Sequence, residues 1–309
     1  MVDLDKRIQS VYVRGHSEKE LNHLYTRFIG DKTELWLFGE GLGERAMILE
    51  LGDSFLQLVE SGEDPGLGRI MMGLGENDAA QAVYKGNWNL CWIWGVDPDK
   101  IGLTIHYKSV KPQLILSSNA ELRKRANEIG FETLPMHSGV NTRFFYPLNT
   151  PRKGLGYCGV DNKSAEQMSI VLQPAMAHGD FEWISKSVHV AFPECKPLNE
   201  WINSKQIVFG MVPEDRQRYG YLPTRFPQTI ATEVPLINYK MPGVDEALGI
   251  HYPFYTDNPE QTTKNIDYIL SHEDEVKKYM AKLGKKIRKE QDYRVKLREI
   301  FKRLKEMKK

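Results

Sequence analysis

The chain is short of cysteine, proline and long apolar runs, and each shortage excludes a class of protein. Three scattered cysteines in 309 residues (Cys91, Cys158, Cys195) form no CxxC pair, which excludes a disulfide scaffold. Sixteen prolines, with 27% charged and 10% aromatic residues, exclude a collagen-like or a disordered chain. The longest apolar stretches, at 90–94 and 35–38, fall far below the roughly 20 residues that a bilayer-crossing helix needs. The first residues, Met1-Val2-Asp3-Leu4-Asp5-Lys6, carry acids and lack the apolar centre of a signal peptide. His137, His178 and His189 show neither HxxxH nor HxH spacing, so no structural zinc is expected. Together these features predict a folded chain in a reducing, cytoplasmic setting with no transmembrane segment.

What is present is a 41% apolar chain long enough for two domains of about 150 residues each. The net charge of +1 hides an asymmetry. Residues 277–309 hold fifteen Lys and Arg against four Asp and Glu, while the first 276 residues hold 27 bases against 37 acids. Such a basic end suits the phosphates of a nucleic acid or an anionic surface, and it equally suits a solvated helix face.

Short apolar runs alternate with polar, helix-forming stretches, the sequence form of βαβ units. In the first half, strands are predicted at 10–13, 35–38, 70–72, 90–94, 103–105, 114–116 and 132–134, with helices at 18–28, 45–59, 78–84 and 120–129. The proline-bearing stretch 147–153 reads as a linker. A second series follows, with strands at 155–160, 188–192, 207–212 and 235–239 and helices at 163–173, 198–204, 226–232 and 259–270. The expected division is an N-terminal domain 1–146, a linker 147–153, a second domain 154–272 and a basic helical tail 273–309 interrupted near Gly284. The fold class is α/β, with two Rossmann-like domains facing across a cleft and a basic C-terminal helix.

The carboxyl ends of parallel strands are where ligands with phosphates bind in such folds. The run from Leu155 through Gly159 to Lys163 is a strand, a glycine turn and a helix start, with Lys163 placed to neutralise a phosphate. A second loop, 213–225, leads into the helix beginning near Phe226, with Thr224 as cap and Pro227 in the first turn. Arg225 there is suited to a diphosphate and Gln228, one turn on, to a ribose hydroxyl. His16 follows the first strand, and Glu40, Glu44 and Arg45 flank a glycine-bearing stretch suited to an acceptor.

The run Arg225-Phe226-Pro227-Gln228-Thr229-Ile230-Ala231-Thr232-Glu233-Val234-Pro235-Leu236-Ile237 resembles the donor-binding segment of GT-B glycosyltransferases, R-x-F-E-x-x-A-x-G-x-P-L-I, and most closely that of the CgeB-like branch of group 1. Gly139-Val140-Asn141-Thr142-Arg143-Phe144-Phe145-Tyr146-Pro147 is similar to the G-V-D-x-x-x-F-x-P that commonly ends the family's N-terminal domain, and the likeness covers roughly residues 100–300. Arg225, Ala231, Pro235, Leu236 and Ile237 match. Pro227, Gln228 and Glu233 stand where the family usually has phenylalanine, glutamate and glycine. The usual Glu-x7-Glu pair is absent, because its first position is Gly220.

The resemblance implies a retaining, metal-independent transferase that moves a sugar from a nucleoside diphosphate, with a UDP-sugar as the leading donor, to an acceptor hydroxyl. It bears on the donor contacts Arg225, Gln228 and Thr229 and on a catalytic His106, which lies where the family often has a histidine at a strand end; the residues themselves add Gly159 and Lys163 as donor contacts, His16 as a second catalytic candidate, and Glu40, Glu44 and Arg45 as acceptor contacts. No cofactor is required. The acceptor stays open between modified DNA, reached through 277–309, and a surface glycan. Two alternatives are a sugar-nucleotide epimerase or phosphorylase of the same fold, and a non-catalytic nucleic-acid-binding protein.

Overall fold

The computed structural model describes residues 7–13, 23–39, 42–74, 86–94, 97–101, 111–159, 164–184, 196–212, 222–241 and 243–308. The chain divides into two compact units, Met1–His137 with Tyr293–Lys309, and Ser138–Asp292. The stretch 147–153, read above as a linker, lies inside the second unit and is tied down there. The Leu148 amide donates to Asn203 Oδ1 at 2.7 Å, and Arg152 Nη1 donates to the Glu233 carbonyl at 2.8 Å.

The first unit is a mixed α/β structure on a seven-stranded sheet whose described strands run in consecutive order: β1 (Ile8–Val13), β2 (His23–Ile29), β3 (Thr33–Gly39), β4 (Gly68–Leu74), β5 (Trp88–Trp92), β6 (Leu114–Ser117) and β7 (Glu132–Pro135). β1, β2 and β3 pair antiparallel and the remainder parallel. The central strands carry unbroken apolar runs (Leu35, Leu37, Ile70, Met71 and Met72 are all buried) because both of their faces are covered. α1 (Leu42–Glu60) follows β3. α2 (Ala120–Glu128) follows β6, with Asn119 capping it by accepting from the Leu122 amide at 3.0 Å.

Residues 23–28, expected in a helix, lie in β2 instead. Thr26 and Phe28 point inward while Arg27 between them reaches Glu34 at 2.5 Å, which is period-two alternation. The turn into β3 is held by Asp64, whose carboxylate accepts from the amides of Asp31 and Lys32 at 2.7 and 2.8 Å. The strands expected at 103–105 and 188–192 and the helix at 78–84 lie outside the described residues.

The second unit is an all-parallel, five-stranded sheet with the order β12-β11-β10-β8-β9. Its strands are β8 (Leu155–Cys158), β9 (Phe181–Ile184), β10 (Ile207–Gly210), β11 (Leu236–Tyr239) and the short β12 (Tyr255–Thr256). After β8 the chain forms α3 (Ala165–Gln167), a π-helical stretch (Met168–Leu172) and α4 (Gln173–His178). The widening has a local cause: Pro174 has no N–H to offer the Ile170 carbonyl four residues back. Thr262 Oγ1 donates to that carbonyl at 2.7 Å. The remaining helices of this unit are α5 (Lys196–Asn203), α6 (Arg225–Ala231), α7 (Val244–Leu248), α8 (Pro259–Ser271) and α9 (Glu273–Glu290). One continuous core holds them, from Val140 and Phe145 through the strands to Met280 and Ile287.

The basic end is not one tail. α9 belongs to the second unit, and α10 (Tyr293–Met307) returns to the first. The chain breaks at Gln291-Asp292, where Asp292 bridges to Val140 and accepts from the Thr142 hydroxyl at 2.5 Å. On the first unit, Phe301 meets Phe55 edge to face at 6.2 Å, and Arg298 grips Glu63 through two bonds of 2.6 and 2.7 Å.

Gly284 does not interrupt α9, which runs through it. A side chain there would put its Cβ 2.8 Å from the Ile230 carbonyl and 2.7 Å from Glu233 Cγ, so glycine is what lets α9 approach α6. Two effects therefore oppose each other in Gly284→Ala. Helix propensity favours alanine by about 1 kcal/mol, while overpacking against a fixed backbone carbonyl costs about 1–3 kcal/mol. The contact wins, and urea denaturation of Gly284→Ala will show a lower midpoint than the wild type. A higher midpoint would mean that α9 and α6 do not meet as described.

Candidate functional site

In an open parallel sheet, helices leaving two neighbouring strands go to opposite faces wherever the strand order reverses, and a crevice opens at the carboxyl ends of those strands. The described strands of the second sheet show one such reversal. From β8 the chain moves outward to β9, then crosses back to β10 on the other side of β8. The described strands of the first sheet follow each other without a reversal. Topology therefore points to the ends of β8 and β10, at Cys158-Gly159 and Gly210-Met211-Val212.

Two of the expected donor residues meet there. Gly159 directly follows β8. Its amide donates to the Ile184 carbonyl at 3.1 Å, and its own carbonyl accepts from Trp183 Nε1 at 2.9 Å. A Cβ at this position would lie 2.5 Å from the Tyr157 hydroxyl, so the close approach requires glycine. Arg225, the first residue of α6, holds its guanidinium carbon 5.3 Å from the centre of the buried Tyr157 ring. Tyr157 in turn meets Trp183 edge to face at 5.4 Å. Trp183 stays 38% exposed, a large aromatic surface at the strand end.

Burial pushes the Cys158 thiol up and the Arg225 charge pulls it back only in part, so this cysteine stays protonated and is no nucleophile. The corner thus offers a cation and a partly exposed aromatic face beside a buried glycine at the strand end. That combination suits an anionic group joined to a ring system.

α6 is seated from behind. Its cap differs from expectation: Thr224 already has helical backbone angles, and its carbonyl, not its hydroxyl, serves the helix by accepting from the Gln228 amide at 3.1 Å. Pro227 is the third residue of the helix. Gln228 and Thr229 are 1% and 0% exposed, within the interior beneath the corner. Glu233, where the resembling family usually has glycine, adopts φ +62, the left-handed region that glycine favours. Its carboxylate holds Arg288 Nη2 at 2.6 Å and its carbonyl accepts from Arg152, and these bonds fix the strained residue.

A cavity of about 490 Å³ lies at the opposite, amino end of this sheet, lined among others by Arg152, Gln206, Glu233, Pro235 and Lys277. It is separate from the corner around Arg225.

Other expected site residues are not brought into view. His16, Glu40, His106 and Lys163 lie outside the described residues, as do the side chains of Glu44 and Arg45 at the start of α1. No group of three or more metal-ligating side chains occurs among the described residues. Sequence reasoning missed Trp183, because Phe181-Glu182-Trp183-Ile184 is a short edge strand with a charge at its centre and was not read as a strand at all.

No protein-family model matches this sequence, and no curated protein is similar to it. Solved structures show a loose likeness. Accessory secretory protein 1, 2 and 3 from Streptococcus pneumoniae gives a TM-score of 0.48 at 12% identity, over 92% of this chain and 63% of that one. The chain thus spans less than two thirds of that structure. AviGT4, a glycosyltransferase involved in avilamycin A biosynthesis, gives 0.42 at 10% identity over 86% of this chain and 90% of that one, and the GtfA/B complex gives 0.42 at 11% over 97% and 71%.

In the first unit the ends of β6 and β7 gather cations. Arg123 Nη1 donates to the Ser117 carbonyl at 2.6 Å, and His137, two residues past β7, lies in the field of both Arg123 and Lys296. Burial first, then those two charges, lower the His137 pKa from 6.5 to about 4, and burial lowers Lys296 to about 8. Folded His137 is therefore neutral between pH 4 and 6.5 while the unfolded chain binds a proton. Stability from this residue is intact above pH 6.5 and is lost as pH falls toward 4, by about 1–2 kcal/mol after allowing for its partial exposure. Urea denaturation at pH 7 and pH 5 will show a smaller loss in His137→Gln than in the wild type. Equal losses would place the ring in water.

Proposed function

We propose that the second unit binds a nucleoside diphosphate sugar at the corner of β8, β10 and α6, and that the protein transfers the sugar to an acceptor hydroxyl. The observation that carries this reading is the Arg225 guanidinium, held over Tyr157 beside Gly159 at the one reversal of strand order among the described strands of the all-parallel sheet. The resemblance of 225–237 to a donor-binding segment supports the same assignment.

The chemistry follows from charge. As the bond between the anomeric carbon and the diphosphate oxygen breaks, the leaving diphosphate gains negative charge while the acceptor oxygen forms the new bond and passes its proton to the departing diphosphate oxygen. A cation fixed before the reaction stabilises that charge without having to reorganise. Arg225 supplies it, with Lys163 as its partner in this reading, and no metal ion is then required. The exposed Trp183 indole offers a stacking face to the nucleobase. The UDP-sugar donor, the retaining outcome and the role of His106 belong to the reading as consequences of the resemblance, and His16 as a second candidate from its place after the first strand.

A second reading, nucleotide binding without transfer, is favoured by one observation: Gln228 replaces the glutamate the family uses, and it is buried. Product analysis with a bound nucleotide sugar separates the two readings.

The test is a thermal-shift series with UDP, GDP, ADP, TDP and CMP and their sugar conjugates. A ligand at a hundred times its Kd stabilises by about 2.7 kcal/mol, and one nucleotide family should do so. Arg225→Ala will weaken that ligand by about ten- to a hundredfold, the loss of one or two charge-assisted bonds. Trp183→Leu will weaken the nucleotide but not inorganic diphosphate. No stabilisation by any nucleotide, or full stabilisation of Arg225→Ala, would overturn the assignment.

A further inference from the structure

The fifteen basic residues of 277–309 are not equivalent, and the structure sorts them. On α10, Arg298 is engaged by Glu63, Arg303 by Glu132 at 2.5 Å and by Glu306, and Lys296 is buried. On α9, Arg288 is engaged by Glu233 and Lys286 by Glu290 at 2.6 Å. Lys277, Lys278, Lys282, Lys285 and Lys289 on α9, and Lys302, Lys305 and Lys308 beyond it, are exposed, and none of them makes an ion pair among the described residues. Lys278, Lys282, Lys285 and Lys289 stand out among them by alignment.

Their spacing puts them in one line. Steps of four, three and four residues keep all four on one face of a helix, and eleven residues at 1.5 Å each make a file of about 16 Å. Asp274 occupies the next place in that line toward the amino end of α9, so the file begins at Lys278. The opposite face of α9 is taken up by the core of the second unit through Val276, Met280, Leu283 and Ile287.

We propose that this lysine file on α9 docks the phosphate backbone of a nucleic acid. The complementarity is linear charge against linear charge, since each strand of a duplex carries a phosphate about every 3.4 Å along its axis. The first 276 residues hold ten more acids than bases and repel such a partner, which leaves residues 277–309 to set the point of contact. A membrane surface fits less well, because a helix that docks on lipid turns an apolar face to it, and α9 has none to spare. The inference does not depend on the proposed transfer reaction.

The experiment is fluorescence anisotropy of the full chain with a labelled 20-base-pair duplex DNA between 50 and 200 mM NaCl. The wild type should bind with a plot of log K against log salt sloping at about −3 to −4, one unit per phosphate neutralised. The combined variant Lys278→Gln, Lys282→Gln, Lys285→Gln, Lys289→Gln should flatten that slope to near zero and lose at least tenfold in affinity at 50 mM. The control Lys302→Gln, Lys305→Gln on α10 should keep the wild-type slope. Melting followed by circular dichroism checks that both variants fold, as exposed lysines without ion pairs lead one to expect. The proposal is overturned if the wild type shows no duplex binding at 50 mM, if the α10 control loses as much as the α9 variant, or if phosphatidylserine vesicles bind through the α9 file and the duplex does not.

Discussion

The reversal of strand order between β8 and β10 is the constraint on which the functional account depends. A parallel sheet can be wound only by crossovers that carry helices over its faces, and reversing the order sends those helices to opposite sides. Such a reversal is where ligands bind in open parallel sheets. Gly159 stands at that reversal because its neighbour Tyr157 allows nothing larger, and Arg225 reaches the same point from α6. A charge is therefore held close to the carboxyl end of β8.

Holding Arg225 there requires α6 to be fixed at its far end. Glu233, at φ +62, closes the turn after α6, and its carbonyl and carboxylate are gripped by Arg152 and Arg288. Arg288 also donates to the Ala231 carbonyl, and Gly284 lets its helix come close enough for this. The stretch 147–153 and helix α9, which look like a linker and a basic tail in sequence, thus hold the far end of α6. That role explains a glutamate at a position where a glycine would be expected: the side chain holds the turn that glycine would only permit.

Legibility in the sequence followed the strength of the local pattern. Buried parallel strands such as 35–38, 70–72 and 207–210 are visible because both faces are covered and the apolar run is unbroken. β2 was hidden because His23-Leu24-Tyr25-Thr26-Arg27 mixes polar and apolar residues as an amphipathic helix does, and only its pairing with β1 and β3 decides between the two. The break between α9 and α10 was hidden because Gln291-Asp292 contains neither glycine nor proline, and a contact with Val140, distant in sequence, is what ends the helix. Of the proposed site, Arg225 and Gly159 stand out by residue type and position alone. Trp183 does not, since its place beside Gly159 follows from the order of strands, which no local pattern carries.

The most direct test of the central claim is hydrogen exchange of the full chain, read by mass spectrometry with and without a saturating nucleoside diphosphate. The account predicts slowed exchange in peptides covering 155–164 and 222–232, with the peptides around the 490 Å³ cavity at the opposite end of the sheet unchanged. Protection confined to that opposite end, or to the first unit, would contradict a site at the β8–β10 reversal.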